Sequence, residues 1–300
     1  MVTIKKRIIG KQTYYYLEHT LRKNGKVEKK EKYIGKVIPN NVQDMKKEFL
    51  SEIYKEKWYP LFYRIKENFS KEIRRMPSFA AEKETETFAI KFTYDTQRIE
   101  GSKLTLKETA DLLERGITPA AKPIQDVKEA EAHKKIFYEM LKYKKDLSLQ
   151  IVLYWHKKLF ELSKPDIAGK IRNYQVKISG SRFVPPLPAE VYPLLREFFR
   201  WYNKNKSKLH PVELAALVHL KFVTIHPFAD GNGRISRLLM NFVLKKHGYP
   251  MLTIPYEKRT SYYNALERSQ IKKMDNIFLQ WFFRRYVKEF ERYLKAGGKP

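Results

Sequence analysis

The sequence contains no cysteine, which excludes disulfide bonds, thiolate metal sites and cysteine nucleophiles. It also lacks a run of about 18 uninterrupted apolar residues, the length that a membrane-spanning helix requires. Internal repeats and low-complexity tracts are absent, which excludes repeat and fibrous architectures. The start, residues 1–7, is basic but no apolar stretch follows it, so we expect no secretion signal and a cytoplasmic location.

Positive charge, by contrast, is abundant. The chain has 61 Lys and Arg against 33 Asp and Glu, a net charge of +28 at pH 7. Its hydrophobic content of 43% is too high for a disordered basic tail, so we expect a packed core. Clustered positive charge is typical of nucleic-acid binding, yet no helix-turn-helix, zinc-finger or RNP pattern accompanies it. The simpler explanation of the composition, which we favour, is a charge spread over the surface for solubility.

Residues 1–40 differ from the rest of the chain. They hold eleven Lys or Arg and three Glu, a net charge of +8. Two β-prone stretches, 14–17 and 27–34, flank Asn24-Gly25, a strong hairpin turn signal. We therefore predict a small basic β-rich appendage over 1–40. From about residue 42 the apolar periodicity becomes helical, which predicts a mainly α protein.

One non-helical stretch interrupts the helical part. Residues 176–178 and 183–184 flank Ser179-Gly180-Ser181-Arg182, a pattern that predicts a short β-hairpin. Such a hairpin has no sheet to join among helices. Its edge is therefore free to pair with another chain.

The strongest chemical signal is a junction between two helices. The apolar stripe over 211–225 predicts a helix that starts at a proline and ends at His226-Pro227. The glycine-containing loop 230–233 then leads into a second helix, which is expected to stop at Gly248. Glycines let backbone N–H groups converge, and a helix N-terminus adds unsatisfied donors. This loop is therefore suited to bind an anion.

The side chains around the loop supply complementary chemistry. Arg234 and Arg237 lie three residues apart on one helix face, so both can reach one polyphosphate. His226 has the properties of a general base, and Asp230 those of an oxygen ligand for a divalent metal. Each residue taken singly has a simpler structural explanation, as a packed histidine or an ordinary turn. Together, within twelve residues, they indicate phosphate-transfer chemistry.

The string from His226 to Arg237 resembles the signature of the Fic-domain family at every fixed position. The stretch 169–172 resembles the family's Gly-x-x-Arg motif, 175–186 its flap, and 262–266 its nucleoside-contacting stretch. The resemblance spans about residues 80–285. It implies a Fic-type helical bundle with a β-hairpin flap, in addition to the β-rich appendage. We assign 42–145 to an N-terminal helical region, 146–286 to the Fic catalytic domain, and 287–300 to a C-terminal helix end and tail.

The resemblance implies an enzyme, a nucleotidyltransferase that moves AMP from ATP, with Mg²⁺, to a Ser, Thr or Tyr hydroxyl of a protein. His226 would deprotonate that hydroxyl and Asp230 would hold Mg²⁺. A glycine at 233, where the family's kinase variants have lysine, favours AMP transfer. The nucleotide-binding residues implied are Gly231, Asn232, Gly233 and Arg234 for the α- and β-phosphates, Arg237 for the γ-phosphate, Ile178, Ser179, Gly180 and Ser181 in the flap, and Tyr262, Tyr263 and Gln270 beside adenosine.

Upstream, Thr96-Gln-Arg-Ile-Glu100-Gly101 resembles the family's inhibitory pattern. Thr96 and Glu100 are four residues apart on one helix face, and Gly101 is a helix stop. Considered alone, a glutamate before a glycine is usually a solvated helix end. Beside the Fic signature, the resemblance implies that Glu100 pairs with Arg237, takes the γ-phosphate position and inhibits the enzyme.

Two alternatives stay open. The same site can remove AMP from a modified protein, in which case Glu100 would be required for activity. In another class, the chain would be a nucleic-acid-binding protein that uses its basic N-terminus. The partners expected are ATP, a protein target docking at the flap and the chain itself through self-modification, with no membrane partner.

Overall fold

The computed structural model describes residues 2–23 and 26–295. The predicted Asn24-Gly25 turn and the last five residues of the predicted tail lie outside the described residues. The chain divides into two compact units, Met1–Tyr63 and Arg64–Pro300.

The N-terminal unit contains the predicted β-rich appendage. Its sheet is an antiparallel meander in the order β1-β2-β3, and Leu17 at its centre lies opposite Ile4 and Lys32. The strands are β1 (Thr3–Ile9), β2 (Gln12–Lys23) and β3 (Lys26–Gly35). One face of the sheet carries apolar side chains, because successive residues of a strand point to opposite faces. The core of this unit joins that face to the first helix through Val2, Leu17, Ile34, Phe49 and Ile53.

Most of the remaining chain is helical, which confirms the predicted fold class. The helices are α1 (Val42–Arg75), α2 (Ser78–Ile99), α3 (Leu106–Arg115), α4 (Ile124–Lys142), α5 (Leu149–Phe160), α6 (Pro188–Asn205), α7 (Pro211–Ile225), α8 (Asn232–Lys246), α9 (Arg259–Lys272), α10 (Asp275–Glu289) and α11 (Arg292–Lys295). A short 3₁₀ turn, Tyr256–Lys258, precedes α9. None of the described helices combines the length and the apolar character of a membrane span.

Helices α7 and α8 form the centre of the C-terminal unit. They pack against each other, α7 also against α6 and α10, and α8 against α2, α4 and α5. Twelve of the fifteen residues in each helix are buried. Because both helices are covered on nearly all sides, the loop that joins them is held on a rigid support.

Local sequence signals explain where several helices begin and end. The Thr105 hydroxyl accepts the Glu108 N–H, and Glu108 accepts the Thr105 N–H at 2.8 Å, which forms a capping box. Helix α7 starts at Pro211 and ends at Ile225. The next residue, His226, precedes a proline and adopts a left-handed conformation with φ 52° and ψ 56°.

The flap differs from the prediction. Residues 176–184 keep the expected turn, in which the Ser181 N–H donates to the Ile178 carbonyl at 3.1 Å, but they form no strand pairing. A two-stranded hairpin with no sheet to join is marginal in water, and Pro185 and Pro186 supply no N–H donors. Side chains anchor the segment instead. Glu267 of α9 accepts the Arg182 N–H at 2.5 Å.

Candidate active site

The loop between α7 and α8 is closed by its own asparagine. Asn232 Oδ1 accepts the Phe228 N–H at 2.9 Å, and Asn232 Nδ2 donates to the Phe228 carbonyl at 2.8 Å. Gly231 has φ 81°, and a Cβ atom there would collide with the ring of Phe160. The loop therefore requires glycine at 231, and the first N–H groups of α8 stay directed out of the helix end.

The carboxylate of Glu100 lies over this helix end. Glu100 is the C-terminal cap of α2, and Gly101 turns the chain away with φ 102°. A Cβ atom at residue 233 would collide with Glu100 Oε1, so only glycine leaves room for the carboxylate there. An anion at the N-terminus of a helix is stabilised by its free N–H groups and its dipole. Glu100 thus fills an anion site.

The guanidinium of Arg237 pairs with the Glu100 carboxylate. Its Nη2 donates to Glu100 Oε1 at 2.5 Å and to the Thr96 carbonyl at 3.2 Å, and its Nε contacts the Thr96 hydroxyl at 3.4 Å. The side chain is only 1% exposed. Burial opposes the charged guanidinium, but the Glu100 carboxylate outweighs it and raises the pKa of Arg237. The structure therefore brings Thr96, Glu100 and Arg237 together.

A second buried cluster surrounds Asp230. Arg234 donates to Asp230 Oδ1 at 2.6 Å and also pairs with Glu129 of α4. The Lys164 ammonium lies 2.6 Å from Asp230 Oδ2 and 3.1 Å from Glu129 Oε1. Burial opposes ionisation of Asp230, but the charges of Arg234 and Lys164 prevail and hold its pKa well below the usual range. Asp230 is therefore ionised at neutral pH.

His226 is oriented by backbone contacts. Its Nδ1 lies 3.3 Å from the Val223 carbonyl, an acceptor only, so this contact favours the tautomer with the proton on Nδ1. Nε2 is then a free base. Burial lowers the pKa of His226, which keeps the ring neutral at pH 7. Arg172 fixes the backbone by donating to the His226 carbonyl at 2.8 Å and to the Pro186 carbonyl of the flap at 2.6 Å.

His156 supports the loop from behind. The Gly169 N–H donates to His156 Nδ1 at 2.9 Å, so the other nitrogen carries the proton and donates to the Asp230 carbonyl at 3.0 Å. The ring is stacked on Phe228 with centroids 3.7 Å apart. Burial lowers the pKa of His156 to about 4. This histidine is a positioning residue for the loop.

The residues expected beside adenosine separate into two groups. Tyr262 is buried, with its hydroxyl 2.9 Å from His219 Nε2 and 3.4 Å from Arg237 Nη1. Tyr263 is 43% exposed and donates to the Ile99 carbonyl, and Gln270 donates to the Thr224 hydroxyl. The structure thus places Tyr262 beside Arg237, Tyr263 against the end of α2 and Gln270 against α7. The flap also contacts α9, because the Ser181 hydroxyl lies 3.3 Å from Glu267 of that helix.

Sequence reasoning missed Glu129, Lys164 and Gln97, whose side-chain oxygen lies 3.2 Å from Arg234 Nη1. Lys164 is 66 positions from Asp230 and Glu129 is 105 positions from Arg234, and neither belongs to a local motif. Gln97 lies within the inhibitory pattern, but it is 137 positions from Arg234. The spacing of apolar residues along a helix does not indicate which distant charged or polar side chain will pair with Arg234 or Asp230.

The central helical pair presents a glycine-containing loop, a neutral histidine and buried arginines, an arrangement suited to phosphate-transfer chemistry. Residues 146–244 match the Fic/DOC family. Over 178 residues the chain is 38% identical to proteins named protein adenylyltransferase Fic from Drosophila ananassae and Drosophila melanogaster, a stretch that covers 58% of this chain. The chain spans only about a third of the length of these relatives, 35% and 36% respectively.

Solved structures agree on the fold. A Fic-domain-containing signaling protein from Bacteroides thetaiotaomicron has a TM-score of 0.69 and 28% identity, with 78% of this chain and 96% of that chain covered. Fic-1 from C. elegans has a TM-score of 0.68 and 27% identity, with 85% of this chain and 76% of that chain covered. The helical fold is therefore the Fic fold.

Proposed function

We propose that this chain is a protein adenylyltransferase that transfers AMP from MgATP to a Ser, Thr or Tyr hydroxyl of a protein, and that Glu100 inhibits the reaction. One observation carries the proposal. The anion site of the Fic loop is intact and is filled by a carboxylate that Arg237 holds at 2.5 Å. The names of the Drosophila relatives support the reaction type.

The loop suits a nucleotide triphosphate by charge and shape. The N–H groups of Asn232 and Gly233 lie in the first turn of α8, the Gly231 N–H donates to Asp230 Oδ1 at 2.5 Å, and Arg234 adds positive charge beside them. These groups would bind the α- and β-phosphates, and Arg237 the γ-phosphate. Ile178, Ser179, Gly180 and Ser181 would cover the nucleotide, while Tyr262, Tyr263 and Gln270 lie on the helix assigned to adenosine.

The donor set at Asp230 fits Mg²⁺. This ion binds proteins through one or two carboxylates and completes its shell with water and substrate phosphates. Asp230 is ionised and its side chain is 34% exposed, so one carboxylate oxygen can serve as such a ligand. When bound there, Mg²⁺ would neutralise charge on the α- and β-phosphates.

His226 would act on the attacking group. Its Nε2 accepts the proton of the target hydroxyl as that oxygen bonds to the α-phosphorus. The bond between the α-phosphorus and the bridging oxygen breaks, and pyrophosphate leaves. Such a transfer depends chiefly on in-line positioning and charge neutralisation, both of which a rigid loop provides.

Inhibition follows from competition for one guanidinium. Arg237 donates to Glu100, and it cannot serve the γ-phosphate in full at the same time. The carboxylate also stands against Gly233, at the helix end where phosphate oxygens would lie. We expect Glu100 to hold ATP in an unproductive position, and Thr96 and Gly101 to position Glu100.

The test compares incorporation of labelled AMP into the protein itself. Glu100→Gly should increase self-modification at least tenfold if the two states differ by about 1.4 kcal/mol or more. Glu100→Gly/His226→Ala should return it to background. Glu82→Gly, on the exposed side of the same helix, controls for general loosening of α2 and should give no gain.

AMP removal is the second candidate, favoured by the position of Glu100 at the loop, where a carboxylate can orient water. Under that function Glu100→Gly abolishes release of AMP from a modified protein and gives no gain in transfer. If Glu100→Gly binds MgATP but gains no transfer, the inhibitory assignment is wrong.

A further inference from the structure

The cluster around Asp230 is balanced in charge by the protein alone. Asp230 and Glu129 supply two negative charges, and Arg234 and Lys164 supply two positive ones. Arg234 occupies Asp230 Oδ1, and Lys164 occupies Oδ2 at 2.6 Å. Both oxygens of the carboxylate assigned to the divalent cation therefore already have a cationic partner.

Lys164 is the less buried cation of this cluster. Arg234 is 3% exposed, and its guanidinium lies 4.7 Å from the centre of the Phe160 ring. Lys164 follows the end of α5, its side chain is 33% exposed, and it has a four-carbon stem. Only its ammonium can leave Asp230 without unpacking the core, since Glu129 remains within reach as a partner.

A divalent cation and the ammonium cannot share the same carboxylate oxygen. At a separation of a few ångströms, two like charges repel strongly in a partly buried site. We propose that Lys164 is a resident counter-ion at the metal position of Asp230, and that a divalent cation binds only by displacing its ammonium group. The proposal rests on the proposed function for the assignment of Asp230.

This exchange would favour metal that arrives with nucleotide. Bare Mg²⁺ would have to displace Lys164 and add two positive charges to a balanced cluster. MgATP adds phosphate charge together with the ion, so the same displacement leaves no excess positive charge. Lys164 would thus select the nucleotide-bound ion over the free ion.

The experiment measures Mn²⁺ binding to the full nucleotide-free chain, from the electron paramagnetic resonance signal of free Mn²⁺. Lys164→Ala leaves the cluster with net negative charge, so it should bind Mn²⁺ at least about tenfold more tightly than the wild type. Lys158→Ala is the matched control, because this lysine pairs with Glu161 at 3.0 Å. The Lys158→Ala variant should bind Mn²⁺ as the wild type does.

The double variant Lys164→Ala/Asp230→Asn should lose the gain, and circular dichroism checks that each variant folds. The proposal is overturned if Lys164→Ala binds Mn²⁺ no more tightly than the wild type, including the case in which neither binds. It is also overturned if Lys158→Ala gains equally or if the double variant keeps the gain. Labelled-ATP incorporation is read separately in the Glu100→Gly background, so absence of AMP transfer there with the Mn²⁺ gain retained counts only against the proposed function.

Discussion

The two units of the chain place their ion pairs differently. In the N-terminal unit, Arg7 and Glu31 pair at 2.5 Å with side chains that are 39% and 28% exposed. In the C-terminal unit, Arg237 pairs with Glu100 at the same distance but is 1% exposed, and Arg234 is 3% exposed. Distance alone therefore does not distinguish the exposed pair from the pair to which we assign a function, whereas burial does.

The difference has energetic consequences. An exposed pair contributes only about 0–1 kcal/mol, because water solvates either partner when the pair opens. Removing one partner of a buried pair costs about 3–5 kcal/mol, because the other charge stays desolvated. A buried pair accordingly opens only when another charge replaces the missing partner. This property suits Arg237, which would exchange a carboxylate for a phosphate.

The largest effect should come from the base. His226→Ala should lower AMP transfer about 10²–10⁴-fold, the usual loss when a general base is removed. Both proteins carry Glu100→Gly, and labelled-ATP incorporation should fall when His226→Ala is added. The affinity for ATP should stay within a few-fold of that of Glu100→Gly, because the imidazole acts on the target hydroxyl and not on the nucleotide. Transfer at the level of the Glu100→Gly background would contradict the assigned role.

The next largest effect should be the loss of stability when the buried cluster around Asp230 is broken. Arg234→Met leaves Glu129 and Asp230 without their guanidinium and should lower the free energy of unfolding by about 3–5 kcal/mol, measured by urea denaturation. Arg292→Met is the control, because its pair with Glu72 is exposed. Equal losses in both variants would remove the distinction between the two kinds of pair.

The sequence was sufficient to predict the parts of the site that are local. The α7–loop–α8 junction follows from Pro211, from the constraint before Pro227, and from the glycines at 231 and 233. The β-rich appendage was predicted on the same local grounds. Each of these features depends on residues within about a dozen positions of one another.

The rest depends on tertiary packing. The pairing of Lys164 with Asp230, and of Glu129 with Arg234, joins distant segments that no periodicity links. The prediction of strand pairing in the flap was wrong for a similar reason. Turn residues predict the turn, but whether two short arms pair depends on competing partners such as Glu267.

Acid should destabilise the protein through its buried histidines. Burial lowers the pKa of His133 to about 3 and that of His156 to about 4, from 6.5. The unfolded chain binds protons first as the pH falls below 6.5, so stability is full above that pH and decreases toward the folded-state values. Each histidine should contribute about 1.4 kcal/mol per pH unit in that window.

Urea denaturation at pH 7 and pH 5 measures this slope. His133→Gln should make the slope shallower, because the glutamine can keep a contact with Thr93 without binding a proton. An unchanged slope in this variant would show that His133 is already protonated in the folded protein, contrary to its burial.

The smallest effect should be at the exposed pair of the N-terminal unit. Arg7→Gln removes a guanidinium whose partner, Glu31, keeps access to water and lies 3.9 Å from Lys5. The free energy of unfolding should change by less than about 1 kcal/mol.

Self-modification of Arg7→Gln in the Glu100→Gly background should also stay unchanged, since we expect residues 1–40 to serve partner recognition and not transfer. This substitution tests the unit more cleanly than deletion of 1–40, which would uncover Phe49 and Ile53. A large loss of transfer in the folded Arg7→Gln variant would mean that the basic unit takes part in the reaction.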